Sequence, residues 1–77
     1  MNIRQAFGQA LREIRESQAL TQEKLAEIAA VDRVSIYRYE KGLIQPNLES
    51  MHTLARALNI TLSSLMERTE SIYQRGA

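Results

Sequence analysis

Arg33, Val34, Ser35 and Arg38 are the side chains in this 77-residue chain best placed for chemistry with another molecule. They follow Asp32, whose short carboxylate can accept from the free amides of a helix's first turn. Arg33 is then the first exposed residue of that helix, and its planar fork of donors matches the O6 and N7 acceptors of guanine. Val34 can touch a thymine methyl, Ser35 can serve a base or a phosphate, and Arg38 stands one turn beyond Val34. A helix fits the major groove of B-form DNA, and residues near its amino end reach the base edges there. This is recognition chemistry rather than catalysis. With one His, no Cys and no Gly-rich phosphate loop, the chain offers few routes to a reaction. Its carboxylates are scattered over helix surfaces at ion-pair spacings, as with Glu23 and Glu27 near Lys24. Neither an enzyme, a cofactor nor a metal site is expected, and His52, beside Met51 but off the apolar stripe, is a boundary residue and no ligand.

The elements that must position these residues are helices. Leu25, Ile28 and Ala29 follow i, i+3, i+4 spacing, and Val31, Ile36 and Tyr39 supply the next apolar run. Thr21 caps the first of these helices and Asp32 the second, with only about three residues between them, which is the pattern of a helix-turn-helix. Ahead of it, residues 3–17 place Ile3, Phe7, Ala10, Leu11 and Ile14 on one face, with Gly8 inside the helix at some cost. Gly42 to Pro46 form a loop, because Gly ends a helix and the residue before Pro is biased away from one. Asn47 caps a fourth helix with Leu48, Met51, Leu54, Ala55 and Leu58 inward, and Thr61 caps a fifth with Leu62, Leu65 and Met66. The expected fold class is all-α, a compact five-helix bundle with one core, no strands and no internal repeats. Residues 67–77 are either a continuation of helix five, adding Ile72 and Tyr73 to its Leu65, Met66, Thr69 stripe, or a frayed end.

Composition bounds the partners. A domain of this size buries only about 60% of its unfolded surface, so packed helices, and a partner chain if there is one, must supply stability. Ten Lys and Arg against nine Asp and Glu leave a net charge of +1, which attracts polyanions weakly overall. The distribution is uneven: Glu13, Glu16, Glu23 and Glu27 lie on the first two helices, and Arg33, Arg38 and Lys41 on the third. No apolar run reaches membrane-spanning length and the amino end has no signal-peptide pattern, so a cytoplasmic protein is expected.

Residues 5 to 66 resemble the Cro and phage-repressor (XRE) type of bacterial helix-turn-helix transcriptional regulator. The words that carry the likeness are Leu20-Thr21-Gln22-Glu23-Lys24-Leu25-Ala26, Val31-Asp32-Arg33, Ser35-Ile36 and Tyr39-Glu40-Lys41-Gly42. It continues through Pro46-Asn47-Leu48-Glu49 and Leu54-Ala55-Arg56-Ala57-Leu58-Asn59-Ile60. The resemblance implies a lambda-repressor-like DNA-binding domain over residues 1–66, with its motif at 22–41 and its recognition helix at about 33–40. It implies base contacts from Arg33, Val34, Ser35 and Arg38. It also implies a phosphate contact from Gln22, which would brace the first reading residue, with Tyr37, Lys41 and the backbone amides near Asn47 as further phosphate contacts. Glu40 at a helix carboxyl end opposes the helix dipole and needs a cation; by analogy with the family that cation is Arg15.

Three departures from the family share one kind. Where it carries Gly, this chain has Ala19, Ala30 and Asn59. Asn tolerates positive φ well, whereas at Ala30 either the turn relaxes or the site carries about 1 kcal/mol of strain. The implied function is a sequence-specific repressor that binds an inverted-repeat operator in double-stranded DNA as a homodimer. Leu62, Leu65, Met66, Ile72 and Tyr73 are the candidate dimerisation residues. A restriction-modification controller is a subtype of this reading. The rival readings are an antitoxin whose apolar tail binds a toxin protein, and a helical interaction domain that binds no DNA.

Overall fold

The computed structural model describes residues 1–76 and consists of five helices: α1 (Ile3–Ser17), α2 (Gln22–Ala29), α3 (Arg33–Glu40), α4 (Leu48–Ala57) and α5 (Leu62–Gly76). Ala77, the last residue of the expected tail, lies outside the described residues. Each expected start signal is in use. The Thr21 hydroxyl accepts from the Lys24 amide at 3.0 Å, and Asp32 accepts from the Val34 amide at 3.1 Å. Asn47 accepts from Ser50 at 2.8 Å and Thr61 from Ser64 at 3.0 Å. Such caps are worth about 1 kcal/mol each, because the first amides of a helix have no partner within it. Asn2 and Gln5 form a reciprocal box at the start of α1 that the sequence reading did not pick out.

The carboxyl ends of α1, α2, α3 and α4 all close in the same way. At Ala19, Ala30, Gly42 and Asn59 the backbone turns left-handed, with φ of 57°, 57°, 69° and 58°. The amide after each turn residue reaches back to a carbonyl five positions earlier: Leu20 to Arg15, Val31 to Ala26, Leu43 to Arg38 and Ile60 to Ala55, at 2.9–3.1 Å. This is the Schellman stop. Only one of the four carries the glycine that suits it. The turn at Ala30 therefore does not relax, and Ala19 shares its strained conformation. The residues after three of these turns, Leu20, Val31 and Ile60, pack against the core and help hold the stops in place.

The core is contributed by every helix. Ala6, Phe7, Ala10, Leu11 and Ile14 come from α1, Leu25, Ala26 and Ala29 from α2, and Ile36 from α3. Leu54 and Ala55 come from α4, Leu58 from its carboxyl cap, and Leu65 and Ile72 from α5. The most extensive packing is between α1 and α5. Three expected inward residues face water instead: Ile3, Ile28 and Leu48. Ile3 and Leu48 are first-turn residues, whose side chains lean toward the helix amino end and beyond the neighbour that would cover them. Ile28 stands roughly 100° around α2 from the stripe formed by Leu25, Ala26 and Ala29.

The segment after Arg68 is helix rather than a frayed end. Thr69 and Ile72 are buried, and Arg68 reaches Glu13 on α1 at 3.2 Å. Among the described residues, no helix is long and apolar enough to cross a membrane.

Candidate nucleic-acid interface

Helix α3 is short, and Ile36 is its one fully buried residue. Packing alone would hold it loosely, so polar contacts take a larger share. Arg15 from α1 makes a two-pronged ion pair with Glu40, Nε to Oε2 at 2.7 Å and Nη2 to Oε1 at 3.0 Å. A third donor, Nη1, reaches the Leu20 carbonyl at 2.7 Å. Both side chains are nearly closed to water, at 10% and 3% exposure. The hydrogen bonds to Glu40 hold the Arg15 pKa above its ordinary value, burial opposing them, so the guanidinium stays charged. The pair expected between these two residues is thus present, with its remaining donors satisfied. Among the described residues no buried side-chain nitrogen or oxygen lacks a partner.

Two further links fix the carboxyl end of α3. Gly8 lies where α1 crosses it: a Cβ at that position would sit 2.3 Å from the Tyr39 carbonyl oxygen and 2.8 Å from that of Glu40. Its place in the helix is therefore a requirement of the crossing, not only a cost. Arg4 donates from Nε to the Gly42 carbonyl at 2.8 Å, a cation at a helix carboxyl end where the dipole favours one.

With its inner side held this way, α3 turns a different set of residues outward. Arg33, Val34, Tyr37 and Arg38 are exposed and Ser35 is half-buried. Val34 and Tyr37 are 42% and 45% exposed, among several exposed apolar side chains that include Leu43 and Leu48, and they leave apolar and hydroxyl contact area on this face. Among the described residues, Arg33, Arg38 and Lys41 form no ion pair, as is also true of Arg4, Arg56 and Arg75, whereas Arg12, Arg15, Lys24 and Arg68 all do. The cations of this element are open to an outside anion. Tyr39 is half-buried against the core.

Gln22, Tyr37 and Lys41 line one hollow of about 220 Å³, together with Arg12, Arg15 and Glu40. The side-chain amide of Gln22 donates to Glu40 Oε1 at 3.0 Å, where the resemblance had it bracing Arg33. The Glu40 carboxylate is already oriented by Arg15. The amide nitrogen keeps its second hydrogen for another acceptor. Lys41 Nζ lies 5.9 Å from the Tyr37 ring centre, a weak cation–π contact that keeps both groups at the rim. Arg12 was missed in the sequence because it looks like any surface arginine; only its place one turn before Arg15 hinted at a shared face. Asn47 stands apart from this group: its Oδ1 caps α4 by accepting from the Ser50 amide, which leaves its exposed Nδ2 donors and the nearby backbone amides for a ligand.

Of the five residues expected at a dimer contact, Leu65 and Ile72 are 0% and 2% exposed within the chain's own core. They cannot offer surface to a partner, and that expectation is corrected. Helical spacing put them on one apolar stripe of α5, and α1 takes that stripe. Leu62 and Met66 are half-buried and Tyr73 is exposed.

Five helices with a cation-bearing α3 presented outward define a helix-turn-helix protein of the DNA-binding kind. The helix-turn-helix family model HTH_3 matches residues 11–65, and the chain belongs to that family of transcriptional regulators. Control protein C.BamHI of Bacillus amyloliquefaciens is 35% identical over 69 residues, covering 88% of this chain and 85% of that one. The restriction-modification controller protein C.AhdI of Aeromonas hydrophila superposes with a TM-score of 0.77 at 38% identity, covering 79% of this chain and 92% of that one. The HTH-type transcriptional activator BcrR of Enterococcus faecalis is 35% identical over 66 residues, 86% of this chain. Some relatives are much longer: this chain spans 32% of BcrR, and 18% and 17% of two putative regulators from methanogens.

Proposed function

We propose that the protein represses transcription by binding an inverted-repeat operator as a homodimer, with α3 of each protomer in the major groove. The observation that carries this reading is the division of α3. Its inner side is locked by Arg15, Glu40 and Gly8, and its outer cations have no carboxylate partner among the described residues. Arg33, Val34, Ser35 and Arg38 read base edges, and the Gln22, Tyr37 and Lys41 hollow takes a phosphate that sets register. Backbone amides near Asn47 add a second phosphate contact. Two α3 helices about 34 Å apart, one turn of DNA, require two-fold symmetry in the operator. Leu62, Met66 and Tyr73, spaced i, i+4 and i+11 along α5, are the dimer residues that keep surface free.

A more specific version, a restriction-modification controller, is favoured by one comparison. C.BamHI and C.AhdI match this chain over most of their own length, whereas BcrR does so over a third. The test is selection from a random duplex library at two salt concentrations. An enriched inverted repeat whose affinity falls steeply with salt supports the proposal; no enrichment at either salt refutes it.

A further inference from the structure

The phosphate hollow contains a cation to which no role has been given. Arg12 lines it from α1, together with Gln22, Tyr37, Lys41 and the Arg15–Glu40 pair. The Glu40 carboxylate is spent: three donors from Arg15 and Gln22 hold it, and it is 3% exposed, so it presents little negative charge to a ligand. Arg12 itself is engaged from behind. Its Nε donates to Glu16 Oε2 at 3.2 Å, one turn along the same helix, and both side chains are more than half exposed. An exposed pair at this spacing is worth about twofold or less in an equilibrium, small enough for an incoming phosphate to displace. Glu16 also stands 4.0 Å from Arg15, so one carboxylate is shared by two guanidinium groups.

We propose that Arg12 is a further phosphate ligand of the DNA interface and that Glu16 holds it in reserve. The inference rests on the DNA-binding reading above. In free protein Arg12 is neutralised by Glu16; when a phosphate enters the hollow, Arg12 exchanges the carboxylate for it, and Glu16 is left to water. The exchange gives the near-neutral chain a use for its acidic α1. Glu16 weakens attraction to phosphates at large and leaves binding to depend on the contacts that α3 makes. Glu16 is thus a positioning residue, acting on DNA through Arg12.

The experiment compares the full chain with Arg12→Gln, Glu16→Gln and the double variant. Each binds a labelled mixed-sequence duplex and the selected operator across a range of salt. Both residues are exposed, so thermal melting should be unchanged in all three. Loss of one phosphate contact per protomer should flatten the plot of log affinity against log salt by about 0.9 for each protomer, about 1.8 for the dimer, in Arg12→Gln, equally on both duplexes. Glu16→Gln should tighten both duplexes by about twofold per protomer at low salt, consistent with the small worth of such a pair. That gain should vanish in the double variant, because Glu16 acts through Arg12. An unchanged slope in Arg12→Gln, with wild type binding normally, overturns this inference alone. The same gain with and without Arg12 would show Glu16 acting as a general repulsive charge and would also overturn it. Absence of duplex binding by the wild type overturns the DNA reading and this inference together.

Discussion

Helices α1 and α3 solve the problem of staying in place by different means. α1 buries five apolar side chains and lies along α5, which returns Leu65 and Ile72 to it. α3 buries Ile36 fully and relies on an ion pair, a cation on its terminal carbonyl and a close backbone crossing at Gly8. On the proposed function, the difference follows from their tasks. A helix that must show most of its surface to DNA cannot bury a broad apolar stripe, so directional contacts replace area. Those contacts fix the angle of α3 as well as its distance, and a base-reading helix needs both.

That contrast is broken most severely at Glu40. Changing it to Ala leaves the buried Arg15 charge with only the shared Glu16 carboxylate at 4.0 Å and frees Gln22, and should cost about 3–5 kcal/mol in urea unfolding. An effect below 1 kcal/mol would mean that apolar packing holds α3 after all. Ile72→Ala tests the other mode of support, with an expected loss of about 2–4 kcal/mol from a cavity between α1 and α5. If Ile72 instead served a dimer contact, the loss would track protein concentration, and melting at two concentrations distinguishes these.

Ala30→Gly should act in the opposite direction. It relieves a left-handed alanine between α2 and α3 and should stabilise by about 1 kcal/mol, raising the melting temperature by roughly 4–8 °C. A neutral or destabilising result would place the strain elsewhere in the turn. The smallest effect concerns the α1–α5 surface. The Glu13 pKa lies below its ordinary value, chiefly through the hydrogen bond from Gln9 and secondarily through Arg68. A lowered carboxylate pKa stabilises the fold above the unfolded value, and that contribution is lost as pH falls through the folded one. Since the pair is substantially exposed, wild type should exceed Glu13→Gln by about 0.5 kcal/mol at most at pH 7, a difference that shrinks as pH falls below the ordinary carboxylate range.

Much of the fold was legible because its signals are local. Thr21, Asp32, Asn47 and Thr61 announce helix starts within three residues of the amides they cap, and apolar spacing reports α1 directly. What was not legible depends on where a second element lies. Gly8 reads as a poor helix residue until Tyr39 and Glu40 are seen against it. Ile3, Ile28 and Leu48 fit apolar patterns but have no neighbour to cover them, and Ile72 could not be assigned to core or interface until α1 was found beside it. At the candidate site, residue types suggested the outer face of α3, whereas the Glu40–Gln22 hydrogen bond and the inclusion of Arg12 in the hollow follow only from the crossing of three helices.

The central claim is that the outer face of α3 reads sequence while its inner face only holds position. Arg33→Ala tests it most directly, with the selected operator and a scrambled duplex measured alongside thermal melting. The account predicts an unchanged melting temperature and a loss of about 1–3 kcal/mol on the operator, with specificity relaxed at one base position and a much smaller change on the scrambled duplex. Equal losses on both duplexes would contradict it and reduce Arg33 to a phosphate contact.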